Sequence, residues 1–154
     1  MMDTKIKNLK MKPVITVNVK TPLREIIEVM EEHNINHLPV LGWGDMIAGI
    51  VSKHDVYRNL LKLSVNTTGR TYSEKMLNSL MAEEMMTLDI AELSPDDTIQ
   101  QAADVLLRGE FHACPVVDNY KVVGVLTAKD LMKHLSEKVI VKNKKTESSV
   151  TIDD

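Results

Sequence analysis

Gly49-Ile50-Val51-Ser52-Lys53-His54-Asp55 and, further on, Gly124-Val125-Leu126-Thr127-Ala128-Lys129-Asp130 are the runs on which the fold turns. Each reads as the end of a buried strand that passes through a hydroxyl residue straight into an amphipathic helix, with a carboxylate three residues on. Ser52 and Thr127 are placed to cap, because a hydroxyl oxygen accepts from the unpaired amides of a first helical turn. Asp55 and Asp130 sit well at the positive end of the helix dipole. A helix N-terminus is also an anion site, and a hydroxyl beside free amides suits phosphate oxygens. An aspartate there repels phosphate, yet as an acceptor it can take both hydroxyl protons of a vicinal diol such as ribose. Capping accounts for either run alone; hydroxyl for phosphate and carboxylate for sugar together point to a nucleotide.

Working outward from the doubled run, the whole chain repeats. Leu38-Pro39-Val40 returns as Cys114-Pro115-Val116, 76 residues on, and the same offset sets Val14-Ile15-Thr16-Val17 beside Ile90-Ala91-Glu92-Leu93. The offset drops to 75 at Gly49 and Gly124, so one residue is lost in the hairpin between. In each copy a short β-branched strand precedes a helix start, Thr21-Pro22 in one and Ser94-Pro95-Asp96-Asp97 in the other. The helix that follows carries apolar residues at i, i+3, i+4 and i+7: Leu23, Ile26, Ile27 and Met30, then Ile99, Ala102, Ala103 and Leu106. Two strands come next, joined through Gly42-Trp43-Gly44-Asp45 and through Asp118-Asn119-Tyr120-Lys121. A closing helix follows each capping run, with Val56, Leu60 and Leu61 or Leu131, Met132 and Leu135 as its apolar residues.

The unit is β-α-β-β-α. Repeat one covers 9–63 and repeat two 85–135; 64–84 is a polar connection with a short helix from Glu74, and 136–154 is a polar tail in which Val139-Ile140-Val141 is a possible small strand. One unit of this size buries too little to stand easily alone. The fold class is therefore α/β of the α+β kind, two repeats packed sheet to sheet about a pseudo-two-fold axis. The methionines at the second copy's entrance (Met76, Met81, Met85, Met86) read as core filling rather than as a binding face.

With 154 residues, 44% apolar and 27% charged, the composition is that of a soluble globular protein. A net charge of −3 and 3% aromatic content offer neither a basic field nor stacking platforms, which argues against nucleic acid. There is no membrane-length apolar run and no signal-type N-terminus, so a cytoplasmic protein is expected. A single cysteine, Cys114, excludes an internal disulfide and a Cys-x-x-Cys zinc pair, and the five histidines lack metal-site spacing. No nucleophile elbow, Walker loop or His-Glu-x-x-His is present, so no enzyme is expected.

The doubled apolar-Pro-Val strand and the doubled Gly-x-x-Ser/Thr-x-x-Asp run, in this order of elements from Leu9 to Leu135, resemble the cystathionine-β-synthase (CBS) domain in tandem, the pair called a Bateman module. The resemblance implies a regulatory module with two clefts that bind AMP, ADP or ATP, and less often S-adenosylmethionine, with no cofactor required. Carried over, one cleft uses Ser52, His54 and Asp55 with His112 and Ala113, and the other uses Thr127, Lys129 and Asp130 with Asn36 and His37. Backbone near Thr16, Ile50, Glu92 and Val125 would line the adenine pockets. Where phosphate-binding members often carry arginine, just before the apolar-Pro pair, this chain has His37 and Ala113. The resemblance further implies a homodimer and signalling to a protein target. The competing reading is a ligand-free structural or protein-interaction module in which both aspartates only start helices.

Overall fold

The computed structural model describes residues 3–66, 70–109 and 112–137. Strand β1 (Val17–Asn18) is followed by α1 (Leu23–His33), then β2 (His37–Leu41), β3 (Ile47–Ser52) and α2 (Lys53–Asn66). The second half runs α3 (Arg70–Ser79), α4 (Ala82–Met85), α5 (Ile99–Arg108), β4 (Ala113–Asp118) and β5 (Lys121–Thr127), and closes with α6 over 128–137. Helix and strand mix as an α+β fold. In the first half β1 pairs parallel with β2, and β2 antiparallel with β3; in the second, β4 pairs antiparallel with β5. Leu93 adds a parallel bridge to Val116, the counterpart of Val17 against Val40.

Both hairpins match in detail. Pro39 lies opposite Ile50 and Pro115 opposite Val125, and the register slips at Val40/Leu41 and again at Val116/Val117. Each half has its own core. Leu23, Ile26 and Met30 of α1 pack with Leu38, Val40, Val51 and Val56; Ile99 and Ala102 of α5 pack with Cys114, Val116, Leu126 and Leu131.

Each core is completed by a segment that belongs, in sequence, to the other half. A 3-10 turn at Ile6–Asn8 buries Ile6 in the second core, held by Ile6 N–H to the Asp97 carbonyl at 2.8 Å and by Ile99 N–H to the Thr4 carbonyl at 2.9 Å. Reciprocally, α4 buries Ala82 and Met85 in the first core, and Leu23 N–H donates to the Leu80 carbonyl at 2.8 Å. Met85 thus fills core space, as a flexible thioether side chain readily does.

Several local readings are corrected. The strand expected over 14–17 is only Val17–Asn18. Proline is the cause. Leu93 N–H donates to the Pro115 carbonyl and Val117 N–H to the Leu93 carbonyl, so the next rung would require an N–H from residue 115, and proline has none. The same register denies the Ile15 carbonyl a partner at Pro39, and the chain before β1 leaves the sheet. Helix α5 begins four residues later than Ser94-Pro95-Asp96-Asp97: that run is a turn, and Thr98 caps instead, in a capping box with Gln101. Ser64 to Asn66, read as connection, continue α2, and α3 starts at Arg70 rather than Glu74. Leu61 and Met132, assigned to apolar faces, point to solvent. The expected strand at Val139-Ile140-Val141 and the tail beyond it lie outside the described residues. No helix among the described residues is long and apolar enough to cross a membrane.

Candidate functional site

The two capping runs fold almost identically. Asp55 Oδ2 accepts from Ser52 N–H at 2.8 Å and from Ser52 Oγ at 2.9 Å, while Asp55 N–H donates to Ser52 Oγ at 3.1 Å. Asp130 Oδ2 accepts from Thr127 N–H at 2.9 Å and Thr127 Oγ1 at 2.8 Å, and Asp130 N–H donates to Oγ1 at 3.2 Å. Both are reciprocal capping boxes with aspartate as the acid. One carboxylate oxygen is therefore committed in each. The other oxygen of Asp55 lies 3.8 Å from Arg58, whereas Asp130 Oδ1 has no hydrogen bond among the described residues.

A second tie fixes the residue before each inner strand. Lys53 N–H donates to the Asn36 carbonyl at 2.8 Å, and Ala128 N–H to the His112 carbonyl at 3.1 Å. These bonds use the first amide of α2 and of α6, and they hold positions 36–37 and 112–113 beside the helix starts.

The surroundings of the two boxes differ. Around Thr127, Lys129 and Asp130 lies a cleft of about 350 Å³, lined also by Asn36 and His37 and by the apolar Val14, Ile15 and Val125. That is within the range of small-molecule sites. Around Ser52 and Asp55, with Ile50, Ala113 and His37, only about 10 Å³ is open, room for a water. Asp55 is just 6% exposed.

Hydrogen bonding explains the contrast. Thr87 is zipped to β3, its N–H to the Ile50 carbonyl at 2.8 Å and its carbonyl to Ile50 N–H at 3.1 Å, and this draws Thr87 and Ile90 over the Ser52 box. Met11 stands at the equivalent place in the first half; among the described residues no backbone hydrogen bond ties it to β5, and the next residues, Lys12 and Pro13, line the open cleft. A more open groove of about 460 Å³ is lined by Met46 and Tyr120, where among the described residues the charged groups are Glu92 and Asp97 and no helix start contributes.

Ser52, Asp55 and Ala113 thus gather at the closed pocket, and Thr127, Lys129, Asp130, Asn36 and His37 at the open cleft. His112, grouped by sequence with Ser52, faces the open cleft instead. His54 is exposed and Thr16 half-buried, and neither lines either space; Val14 and Ile15 take the place expected for Thr16. His37 borders both. Burial holds its imidazole below the usual value, the charge of His112 adds to that, and Asp55 opposes it. Sequence reasoning missed Lys12 and Asn34, the left-handed cap of α1 at φ 50°. The repeat offset, which sets Met11 beside Thr87 and so Lys12 just inside the cleft entrance, was the available signal. Among the described residues no three His, Cys, Asp or Glu side chains gather as a metal site.

The CBS domain family model matches residues 6–62 and 82–137. The chain belongs to the CBS domain family, as a tandem pair. The CBS pair is similar to part of the L-aspartate semialdehyde sulfurtransferase of Methanocaldococcus jannaschii, 27% identical over 84% of this chain and 23% of that protein. It is also similar to part of a homoserine O-acetyltransferase of Methanohalobium evestigatum, 24% identical over 87% of this chain and 24% of that protein. The chain spans about a quarter of the length of these curated relatives. Among solved structures, the CBS domain pair of protein MJ0100, in complex with 5′-methylthioadenosine and S-adenosyl-L-methionine, superposes with a TM-score of 0.71 at 26% identity, over 88% of this chain and 98% of that one.

Proposed function

We propose that this CBS pair is a regulatory module that binds an adenosyl ligand of the AMP, ADP or ATP class in the cleft at Thr127–Asp130. The carrying observation is that cleft: about 350 Å³ at a capped helix N-terminus, with the outer oxygen of Asp130 accepting from no protein donor among the described residues. Asp130 Oδ1 takes ribose hydroxyls, Thr127 and the first turn of α6 face the anionic end, and Val14, Ile15 and Val125 accept the base. The likeness to a CBS pair solved with two adenosyl compounds supports an adenosyl ligand. S-adenosylmethionine is the weaker candidate, because its sulfonium would meet Lys12 and Lys129 in the same cleft. Occupancy acts by shifting how the two halves pack, and the readout is a cytoplasmic protein target or a homodimer. A ligand biases such packing only by its differential affinity, typically about 1–3 kcal/mol.

The Ser52–Asp55 pocket favours a second reading for that half alone, a helix start with no ligand, since about 10 Å³ holds no nucleoside. Calorimetry with AMP, ATP and S-adenosylmethionine tests both statements. Asp130→Ala is expected to weaken binding at least about tenfold, one lost charge-assisted contact, and Asp55→Ala to leave the stoichiometry of one. Equal affinity in wild type and Asp130→Ala, with folding intact, overturns the assignment.

A further inference from the structure

Two imidazoles, from His37 at the start of β2 and His112 ahead of β4, border the open cleft together with the ammonium groups of Lys12 and Lys129. Among the described residues the one carboxylate lining the cleft is Asp130, half committed to Thr127. Two cations therefore face one partly neutralised anion before either imidazole is charged. His37 also meets charge from the other side: Asp55 of α2 lies across the closed pocket, itself 3.8 Å from Arg58, while Ser52, opposite His37 in the β2–β3 register, is uncharged. The surroundings press His37 towards its neutral form, through burial first and the neighbouring His112 second. An anion seated in the cleft reverses that balance, because an opposite charge within a few ångströms favours the imidazolium.

Resting on the proposed binding of an adenosyl ligand in this cleft, we infer that the ligand enters as a phosphate-bearing anion together with a proton taken up by the His37–His112 pair. The module then reads pH and ligand jointly. Proton and ligand raise each other's affinity by the same factor, as linkage requires. A neutral adenosyl compound occupying the same base and ribose subsites brings no such charge and draws no proton.

The test is calorimetry of AMP and of 5′-methylthioadenosine at pH 6.5 and pH 8.0, in buffers of different ionisation enthalpy, on wild type, His37→Gln and His112→Gln. AMP is expected to bind wild type about fivefold more tightly at pH 6.5, with less than one proton taken up per ligand, the size that partial charging of a single imidazole allows. 5′-Methylthioadenosine is expected to bind equally at both pH values. The titration of the phosphate itself is common to all three proteins, so the uptake lost in His37→Gln or His112→Gln belongs to the protein. His112 is exposed, which keeps that variant informative if His37→Gln melts. Proton uptake unchanged in both variants, or AMP binding that is independent of pH, overturns the inference while leaving the cleft assignment standing. Failure of both compounds to bind overturns the two together.

Discussion

The carbonyl oxygen of Thr87 stands 2.7 Å from where a Cβ on Gly49 would lie, with the Met86 sulfur at 2.8 Å. The equivalent glycine, Gly124, is crossed by Met11, whose methyl would come within 2.9 Å and whose sulfur within 3.2 Å. In both halves a glycine lets a segment of the other half cross close over the hairpin. The neighbours differ in what can give way: a hydrogen-bonded backbone carbonyl at Gly49, the free end of a flexible side chain at Gly124. Gly49→Ala is therefore expected to cost about 2–4 kcal/mol, in the range of overpacking plus a broken bridge, and Gly124→Ala about 1 kcal/mol or less. Urea denaturation of the two variants checks the ranking, and equal losses would contradict it.

The proline that ends each parallel ladder leaves a carbonyl without its rung, and at Ala91 the gap is filled by a thiol. Cys114 Sγ donates to the Ala91 carbonyl at 2.9 Å. Burial pushes the Cys114 thiol up to about 11, with Glu92 and Asp97 adding to the effect. Cys114→Ala is expected to lose about 1–2 kcal/mol, the cost of an unpaired buried acceptor and a small void, and Cys114→Ser to retain most of it. In the native protein the thiol should react with a disulfide reagent at pH 8 at least about a hundredfold more slowly than free cysteine, since the thiolate is the nucleophile. Rapid labelling without unfolding would show that the bond does not persist in solution.

The doubled architecture was legible because its signals are local: the i, i+3, i+4, i+7 faces of α1 and α5, the Gly and Ser/Thr-x-x-Asp runs, and Pro39 and Pro115 in register. The misplaced boundaries came from hydrogen bonds that need a partner strand. Nothing in Val14-Ile15-Thr16 by itself says that the ladder will run out at Pro39. The capping boxes were readable as spacing, down to the commitment of the hydroxyl. The inequality of the two clefts was not, because it depends on Thr87 pairing with Ile50 while Met11, among the described residues, makes no such backbone bond, a long-range difference between two otherwise aligned positions. His112 followed the same logic: its carbonyl is tied to Ala128, at the start of α6, and its side chain goes with that helix to the open cleft.

His37 makes stability depend on pH in a direction that the structure fixes. Its folded-state pKa lies below the ordinary imidazole value, chiefly through burial and then through His112. The unfolded chain therefore binds the proton more readily, and between the folded and unfolded values stability rises with pH. The contribution is complete above about pH 6.5, the unfolded imidazole value, and is lost as pH falls through the lowered folded value. Without ligand, the urea midpoint of wild type is expected to fall as pH drops from 7 to 5, and His37→Gln, which removes the titration while keeping a polar side chain, to fall less. A His37→Gln profile parallel to wild type over that window would mean that His37 titrates alike in the folded and unfolded chain, and the burial that defines its place between the two pockets would have to be abandoned.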